Sequence, residues 1–233
     1  MKDLFGQALL DYYHGYNDGD IITSTNISSE DTLPLEYLFR NYEGMPKIEK
    51  VALKAAKGHV LDVGAGAGSH SLYLQGQGIS VKAIDVSPGA IEVCQLRGVK
   101  YAQVKDLMEE TDVYDCILIL MNGTGIFQEL EQVPKYLKHL KSLLKTDGQI
   151  LIDSSDIKYM YEDEDGGIWI DINANYYGEL DYYMSYKGEK AIPMKWLYLD
   201  FNTLKICCEV VGLECELVAK GAFHDYLARL YRR

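Results

Sequence analysis

Long apolar runs are missing from this sequence: no stretch approaches the ~20 consecutive apolar residues that a membrane-spanning helix needs. The first residues also lack a basic start followed by a long apolar run, so we expect no signal peptide. Cysteine is scarce, with five residues that show neither Cys-x-x-Cys spacing nor histidine partners at metal-ligand spacing. We therefore expect no metal site and no membrane association, and we place the protein in the reducing cytoplasm.

Positive charge is also in short supply. Lysine and arginine total 23 against 35 aspartates and glutamates, which gives a formal net charge of −12. This balance opposes binding to phosphate backbones, so we expect no nucleic-acid partner. Tyrosine is unusually frequent, with 19 residues. Apolar residues make up 48% of the 233 residues, which is enough for one domain with a full hydrophobic core.

Residues 59–85 carry the strongest motif. An apolar strand, predicted over 59–63, runs into three glycines at alternate positions, and a helix is predicted over 69–77. A second apolar strand over 80–84 then ends on an acid, Asp85. Glycine lets the backbone approach a ligand where a Cβ would collide, and an acid at this place can hydrogen-bond both hydroxyls of a ribose. The layout predicts a nucleotide-binding βαβ unit.

The position of Asp62 indicates which nucleotide is bound. A dinucleotide fingerprint, Gly-x-Gly-x-x-Gly, holds its pyrophosphate at the helix N-terminus, where a nearby carboxylate would repel it. Asp62 lies two residues before the first glycine, and its charge suits a ligand that carries an ammonium group. S-adenosylmethionine has that group, a sulfonium, and a ribose for Asp85. The segment resembles motif I and the following acidic motif of class I S-adenosylmethionine-dependent methyltransferases.

The resemblance implies roles for individual residues. In that family the position of Asp62 orients the methionine amine, and the position of Asp85 binds the ribose hydroxyls. Asp106 follows the third strand, where the family often places an acid that binds the adenine amine, with Leu107 or Met108 against the ring. A surface acid that begins a turn is an equally good interpretation. The residues expected to bind S-adenosyl-L-methionine are Asp62, Gly64, Ala65, Gly66, Gly68, Asp85, Val86, Asp106, Leu107 and Asn122.

The resemblance covers about residues 57–154, with fair agreement for 201–231, and it implies the fold. We predict an α/β protein with a doubly wound, mostly parallel, seven-stranded Rossmann-like sheet, an N-terminal helical cap and an inserted antiparallel β segment. The cap spans residues 1–50, and the methyltransferase domain spans 51–233 with the insertion at about 155–199. The core strands are predicted at 59–63, 80–84, 99–103, 114–121, 148–153, 213–219 and 223–231, and the helices at 69–77, 88–97, 131–145 and 201–211.

The cap and the insertion lie outside the resemblance and are predicted from local pattern. Helices are expected at 1–16, 35–42 and 47–56, a polar loop at 23–32, and inserted strands at 168–172, 176–187 and 195–200. Both segments are rich in tyrosine, which offers broad apolar walls with a polar tip. We expect them to meet over the substrate crevice. A homodimer contact through the inserted β segment is the alternative.

Three residues are candidates for catalysis. His70 begins the first core helix, and a histidine within hydrogen-bond reach of a nucleophile can act as a general base, although it can equally contact only backbone or solvent. His14 is a rival if the N-terminal segment folds over the site. Asp153 ends the fifth strand, where it would bind a substrate amine or hydroxyl, or cap the following turn. Asn122 ends the fourth strand and is expected to line the same crevice.

These patterns favour a methyltransferase that acts on a small-molecule acceptor. Methyl transfer from a sulfonium is an in-line displacement that depends mainly on positioning and exclusion of water, so the family lacks a universal catalytic residue. Two alternatives stay open. One is an NAD(P)-dependent oxidoreductase, against which Asp62 and the glycine spacing count. The other is a protein that binds the cofactor and regulates a partner without catalysis.

Overall fold

The computed structural model describes residues 2–16, 19–163, 165–170 and 175–233, and these form seven α-helices and twelve β-strands. The helices are α1 (Leu4–Tyr13), α2 (Leu35–Leu38), α3 (Lys47–Ala55), α4 (Ser69–Gly76), α5 (Pro88–Leu96), α6 (Val133–Ser142) and α7 (Phe201–Val210). The strands are β1 (Ile21–Thr25), β2 (Ser28–Leu33), β3 (His59–Val63), β4 (Ser80–Asp85), β5 (Ala102–Val104), β6 (Tyr114–Ile119), β7 (Leu144–Ser155), β8 (Glu179–Tyr186), β9 (Glu189–Lys190), β10 (Met194–Leu197), β11 (Leu213–Lys220) and β12 (Asp225–Arg232).

Seven strands form the core sheet, in the order β11-β12-β7-β6-β3-β4-β5. All run in one direction except β12, which is antiparallel to both of its neighbours. Alternate residues of β6 enter separate apolar clusters: Ile117 and Ile119 pack with α6 and α7, whereas Cys116 and Leu118 pack with α3 and α4. An uninterrupted apolar strand is what a parallel sheet covered on both faces requires. The predicted doubly wound, seven-stranded, mostly parallel sheet is confirmed.

The N-terminal segment and the insertion meet in a second sheet, which is antiparallel throughout. Its strand order is β10-β8-β1-β2, and β9 also pairs with β8. Strand β1 pairs with β8 from Ile22 opposite Ser185 to Thr25 opposite Tyr182. The expectation that these two segments meet is therefore confirmed. We call this second sheet the cap sheet.

Whereas the predicted helices of the N-terminal cap are present as α1, α2 and α3, the prediction of a loop at residues 23–32 is wrong. β1 and β2 form a hairpin there, closed by a 2.8 Å hydrogen bond between the Thr25 and Ser28 hydroxyls. At its tip the Asn26 side chain accepts a hydrogen bond from the Asp181 N–H at 2.9 Å. This polar hairpin is stabilised by pairing with β8, a partner that lies far away in the sequence. Local pattern therefore underestimated its β-structure.

The insertion has fewer paired residues before β8 than predicted. Of the predicted strand at 168–172, the structure describes one bridge between Ile168 and Glu162, and residues 171–172 lie outside the described part of the chain. The predicted strands at 176–187 and 195–200 correspond to β8 and β10.

Helix α1 is anchored to the start of α5 by one carboxylate. Asp3 caps α1 by accepting a hydrogen bond from the Gly6 N–H at 2.8 Å. Its other oxygen accepts from the Ser87 hydroxyl at 2.7 Å and from the Gly89 N–H at 2.9 Å, at the N-terminus of α5. The two helices touch at glycines, since a Cβ on Gly89 would lie 2.6 Å from the backbone of Gly6. This double cap holds α1 beside the turn that follows Asp85.

Candidate functional site

The turn between β3 and α4 presents bare backbone at the carboxyl edge of the core sheet. Gly66 and Gly68 have φ angles of +52° and +79°, a region that side chains with a Cβ disfavour. At Gly68 a Cβ would also lie 2.9 Å from the Cys94 sulfur. Gly64 shares the positive φ, and Ala65 is buried between the glycines. The turn leaves room for a ligand to approach the main chain closely.

Asp62 is buried at the end of β3, directly before this turn. One of its carboxylate oxygens accepts a hydrogen bond from the Ser71 hydroxyl at 2.6 Å. Burial raises the pKa of Asp62, while the charge of His70 and the hydrogen bonds from Ser71 oppose the rise. A cation in contact with the carboxylate would offset the cost of burying it. The ammonium group of an amino acid fits this requirement.

Asp85 ends β4 on the other side of the turn. Its two carboxylate oxygens accept hydrogen bonds from the N–H groups of Gly66 and Ser87, both at 2.9 Å. Each oxygen keeps a further lone pair, so the carboxylate can also accept from two neighbouring hydroxyls. The next side chain, Val86, is 68% exposed and offers an apolar surface beside it. This pair suits a ribose with an attached flat ring.

Asp106 and Leu107 lie after β5, further along the same edge. The Asp106 side chain accepts a hydrogen bond from the Met108 N–H at 2.8 Å and so caps a short 3-10 turn over Leu107–Glu109. Leu107 is buried in the main apolar cluster, and its carbonyl bonds the ring of His139. This is the turn-capping arrangement left open above. A role for these residues against adenine stays a prediction.

Asp153 holds the loop that follows β6. Its oxygens accept from the Gly123 N–H at 2.8 Å and from the Met121 N–H at 3.1 Å. Met121 and Asn122 both have positive φ angles, of 68° and 57°, and such strained backbone needs support from its surroundings. Burial raises the pKa of Asp153 to about 6, against the effect of these hydrogen bonds. In this geometry Asp153 supports the backbone of the loop, and its catalytic role stays a prediction.

The side chain of Asn122 turns toward the insertion. Its amide nitrogen donates to the Leu197 carbonyl at 3.3 Å, and its oxygen accepts from the Ser154 hydroxyl at 3.0 Å. Thr124 joins the same network, since its hydroxyl lies 3.0 Å from the Leu197 carbonyl and 2.6 Å from the Ser154 hydroxyl. These bonds fasten β10 to the loop after β6. The Asn122 amide is therefore engaged within the protein, and a contact of Asn122 with the cofactor stays a prediction.

His70 belongs to a buried charged network. Its Nε2 atom lies 2.8 Å from an oxygen of Glu49 in α3, and the same carboxylate pairs with the Arg40 guanidinium at 2.5 Å. Burial acts to lower the pKa of His70, but the hydrogen bond to Glu49 and the charge of Asp62 raise it overall. A protonated imidazole has no lone pair to accept a proton. The network thus favours a charged, positioning His70 over a general base.

His14 lies apart from these residues. It is exposed at the C-terminal end of α1, with its ring 5.3 Å from that of Tyr13. The Tyr13 hydroxyl donates to the Leu96 carbonyl at the far end of α5, whereas Asp3 contacts the beginning of α5. A ten-residue helix spans about 15 Å. His14 is therefore at the opposite end of α1 from the Asp85 turn, and within the described residues its ring contacts are with Tyr13 and Tyr16 and not with His70.

Sequence reasoning missed Arg40 and Glu49. Neither belongs to a motif, and they are brought to His70 only by the packing of the cap against α4. The single local signal was a glutamate on the apolar side of an amphipathic helix, where Glu49 is 3% exposed. Charged residues are rarely buried without a partner, so a glutamate at such a position indicates a counter-ion elsewhere.

With this geometry in place, comparison with known proteins decides the family. Residues 36–203 match the family described as a methyltransferase domain. The chain belongs to the methyltransferase domain family. A crystal structure of an S-adenosylmethionine-dependent methyltransferase from Bacteroides fragilis, bound to S-adenosyl-L-homocysteine, superposes with a TM-score of 0.93 at 44% identity, covering 99% of this chain and 95% of that one.

More distant relatives agree on the fold. The CcbJ methyltransferase from Streptomyces caelestis superposes with a TM-score of 0.61 at 13% identity, covering 79% of this chain and 88% of that one. A curated protein of Geobacillus sp. (strain WCH70), named as a methyltransferase, is 25% identical over 114 residues. That alignment spans 46% of each chain, so this methyltransferase matches about half the length of the curated relative.

These matches confirm the predicted S-adenosylmethionine-dependent methyltransferase and its cofactor, S-adenosyl-L-methionine. The residues of this chain fit that cofactor: Asp62 can provide an anionic partner for an amine, Asp85 has lone pairs that can accept from ribose hydroxyls, and the glycine turn leaves space between them. Neither alternative, the oxidoreductase nor the regulator, is favoured. Within the described ranges no helix is long and apolar enough to cross a membrane, and no group of three or more His, Cys, Asp or Glu side chains could hold a metal ion.

Proposed function

We propose that this methyltransferase transfers a methyl group from S-adenosyl-L-methionine to a small-molecule acceptor bound between the core sheet and the cap sheet. The observation that carries the proposal is the pairing of β1 with β8, which joins the N-terminal segment and the insertion into one sheet. An acceptor enclosed in this way must be small.

The cap sheet is held against the cofactor edge of the core sheet. Trp196 of β10 packs on the loop after β6 so closely that a Cβ on Gly125 would lie 2.1 Å from its ring. The hydrogen bonds of Asn122 and Thr124 to the Leu197 carbonyl fasten the same strand. A site covered in this way excludes water, and electrostatic interactions with a reacting group are stronger there.

The proposed roles follow from the geometry. When bound, the cofactor supplies a methyl group activated by its sulfonium. Asp62 binds the amine end, Asp85 binds the ribose hydroxyls, and Val86 contacts the adenine. Asp153 fixes the backbone of the loop after β6, and the Glu49–His70 pair fixes the start of α4. The chain thus contributes positioning, which is worth several orders of magnitude in rate for reactants held in the right orientation.

The partners follow from charge and topology. The net charge of −12 argues against a nucleic-acid acceptor, and the free cysteines suit the cytoplasm. Strand β8 is paired on both sides, so a homodimer through the inserted segment would use another strand of the cap sheet, such as its edge β2.

Ligand binding and product formation test the proposal. S-adenosylhomocysteine should raise the melting temperature, because a ligand that binds only the native state stabilises it by mass action, whereas NAD and NADP should not. Incubation with S-adenosylmethionine and a panel of small acceptors should release S-adenosylhomocysteine. Stabilisation by a dinucleotide alone, or methylation of added nucleic acid and of no small molecule, would contradict the proposal.

A further inference from the structure

A cavity lies at the same edge of the core sheet, under the cap sheet. It measures 140 Å³ and opens between the β1–β2 hairpin, strand β8 and the end of β7 at Ser155. β7 neighbours β6, whose following loop carries Asn122, so the cavity is beside the loop that the cofactor is proposed to contact. We propose that this cavity seats an uncharged six-membered ring of the acceptor, an inference that rests on the proposed methyl transfer.

The size of the cavity sets the size of the group. An engineered protein cavity of about 150 Å³ binds one benzene molecule, so 140 Å³ admits a single ring. Leu180 and Ile157 line it from below and are almost fully buried, at 2% and 3% exposure. A ring in this position would fill the cavity and make van der Waals contacts with these side chains. A fused two-ring system would extend beyond the enclosed part.

The chemistry of the lining excludes a charged group. None of the described residues around the cavity carries a charged side chain; its polar groups are hydroxyls. The carboxylates adjacent in sequence to lining residues have other partners: Asp156 accepts from the Tyr177 hydroxyl at 2.8 Å and from the Lys158 N–H at 3.0 Å, Glu179 accepts from the Leu130 N–H at 2.8 Å, and Asp181 pairs with Lys195 at 2.9 Å. Burying an ion without a partner costs far more than burying a hydroxyl. The lining therefore favours a neutral ligand over an ammonium ion.

Two hydroxyls are available to orient the ring. Ser155 and Tyr198 both line the cavity, and their hydroxyls form no hydrogen bond within the described part of the chain. The hydroxyls of Thr25 and Ser28, in contrast, are paired with each other. Burial raises the pKa of Tyr198 to about 12, so its phenol stays a neutral donor near pH 7. A hydroxyl or carbonyl on the ring can bond these two groups.

The mouth of the cavity indicates how the acceptor continues. Phe223 is 81% exposed at the rim, and Tyr159 and Met160 beside it are 47% and 38% exposed. Tyr159 is held by stacking on the His224 ring, with centroids 4.7 Å apart. An apolar rim around a small recess suits a molecule whose ring is inserted and whose remaining part lies on aromatic surface.

Benzyl alcohol and benzylamine are probes of matched shape that differ in charge at pH 7.5. In titrations at 150 mM salt, with and without saturating S-adenosylhomocysteine, we expect benzyl alcohol to bind at least tenfold more tightly than benzylammonium. Ser155→Ala and Tyr198→Phe should each weaken alcohol binding by about twofold to tenfold through the lost hydrogen bond. Tyr183→Phe, on the opposite face of β8, is the matched control and should leave it unchanged.

The outcomes separate the two proposals. Unchanged S-adenosylhomocysteine affinity in the Ser155 and Tyr198 variants would show that they are folded, so that a selective loss of alcohol binding supports the cavity. Wild-type alcohol affinity in both variants, no alcohol binding to the wild type, or equal or tighter binding of benzylammonium would overturn the inference. Failure of the wild type to bind S-adenosylhomocysteine would instead contradict the proposed function, and the titration without that ligand would still test the cavity.

Discussion

Replacing Asp85 with asparagine changes one carboxylate oxygen to an amide nitrogen and so tests the proposed cofactor site. The carboxylate already accepts hydrogen bonds from the backbone of Gly66 and Ser87, both at 2.9 Å, and is proposed to bind the ribose with its remaining lone pairs. Asparagine keeps the shape and one acceptor oxygen but replaces the other by a donor. The change therefore removes charge-assisted acceptance without opening a cavity.

The expected loss of ligand affinity follows from the hydrogen bonds that the ribose is proposed to donate to the Asp85 carboxylate. Hydrogen bonds to charged groups contribute about 1.5–3 kcal/mol, so Asp85→Asn should weaken binding of S-adenosylhomocysteine roughly tenfold to 150-fold. The ligand-free protein should lose some stability, because the asparagine oxygen can accept from only one of the Gly66 and Ser87 N–H groups; removal of the buried charge, since burial raises the pKa of Asp85, offsets part of that loss. We expect its melting temperature to fall by about 2–12 °C, since an unsatisfied buried N–H costs about 1–3 kcal/mol and each 1 kcal/mol shifts the melting temperature of a chain of this size by about 2–4 °C.

Isothermal titration with two ligands isolates the ribose contact. The first ligand is S-adenosylhomocysteine, and the second is its 2′,3′-dideoxy analogue, which lacks the hydroxyls that Asp85 is proposed to bind. The variant should lose affinity for the first and bind the second as the wild type does. If Asp85→Asn weakens both ligands equally, or neither, the carboxylate does not hold the ribose and the reasoning is refuted.

Three further changes test the supporting structure. Glu49→Gln breaks a buried ion pair, which typically costs about 3–5 kcal/mol of stability. Because the pKa of Glu49 is lowered from 4.5 and that of His70 is raised from 6.5, the loss of unfolding free energy, measured by denaturant titration, should be largest between pH 4.5 and 6.5. A loss that does not depend on pH would refute the pairing. Asp153 has a pKa raised from 3.8 to about 6, so the wild type should lose stability relative to Asp153→Asn as the pH rises through this interval; parallel stability curves would contradict it. Gly89→Ala places a Cβ 2.6 Å from the Gly6 backbone, so the amide hydrogens of α1 should exchange faster while those of β6 stay protected. Gly76→Ala is the control, because a Cβ there meets nothing within 4 Å.

The core of this fold was predictable because its signals are local. The apolar strand before Gly64, the alternate glycines and the acid at Asp85 all lie within one βαβ unit, and the structure brings them to one edge. The cap was not predictable in the same way. The Ser/Thr-rich strands β1 and β2 bury few apolar side chains, and their partner β8 is recognisable only once the chain has folded.

In the candidate site, too, some residues were predictable from local spacing and others were not. Asp62 and Asp85 were identified by their spacing from the glycines, and both lie beside the turn as expected. The environment of His70 depends on Arg40 and Glu49, which come from other elements, so spacing gave no information about its charge. Asp153 likewise bonds the backbone of a loop about 30 residues earlier, and sequence pattern does not report such contacts.

The pairing of β1 with β8 has a consequence for how the protein folds. Strand β1 precedes the core sheet in the chain, but its partner β8 is made about 160 residues later, so the cap sheet is a long-range contact. The βαβ unit with the glycine turn is complete long before that. During synthesis the chain therefore passes through a stage in which the cofactor turn exists while the hairpin β1–β2 lacks its partner strand. The edge of β1 that faces away from β2 is then unpaired until residue 186 has left the ribosome, and in this interval a chaperone or a wrong strand would compete for it.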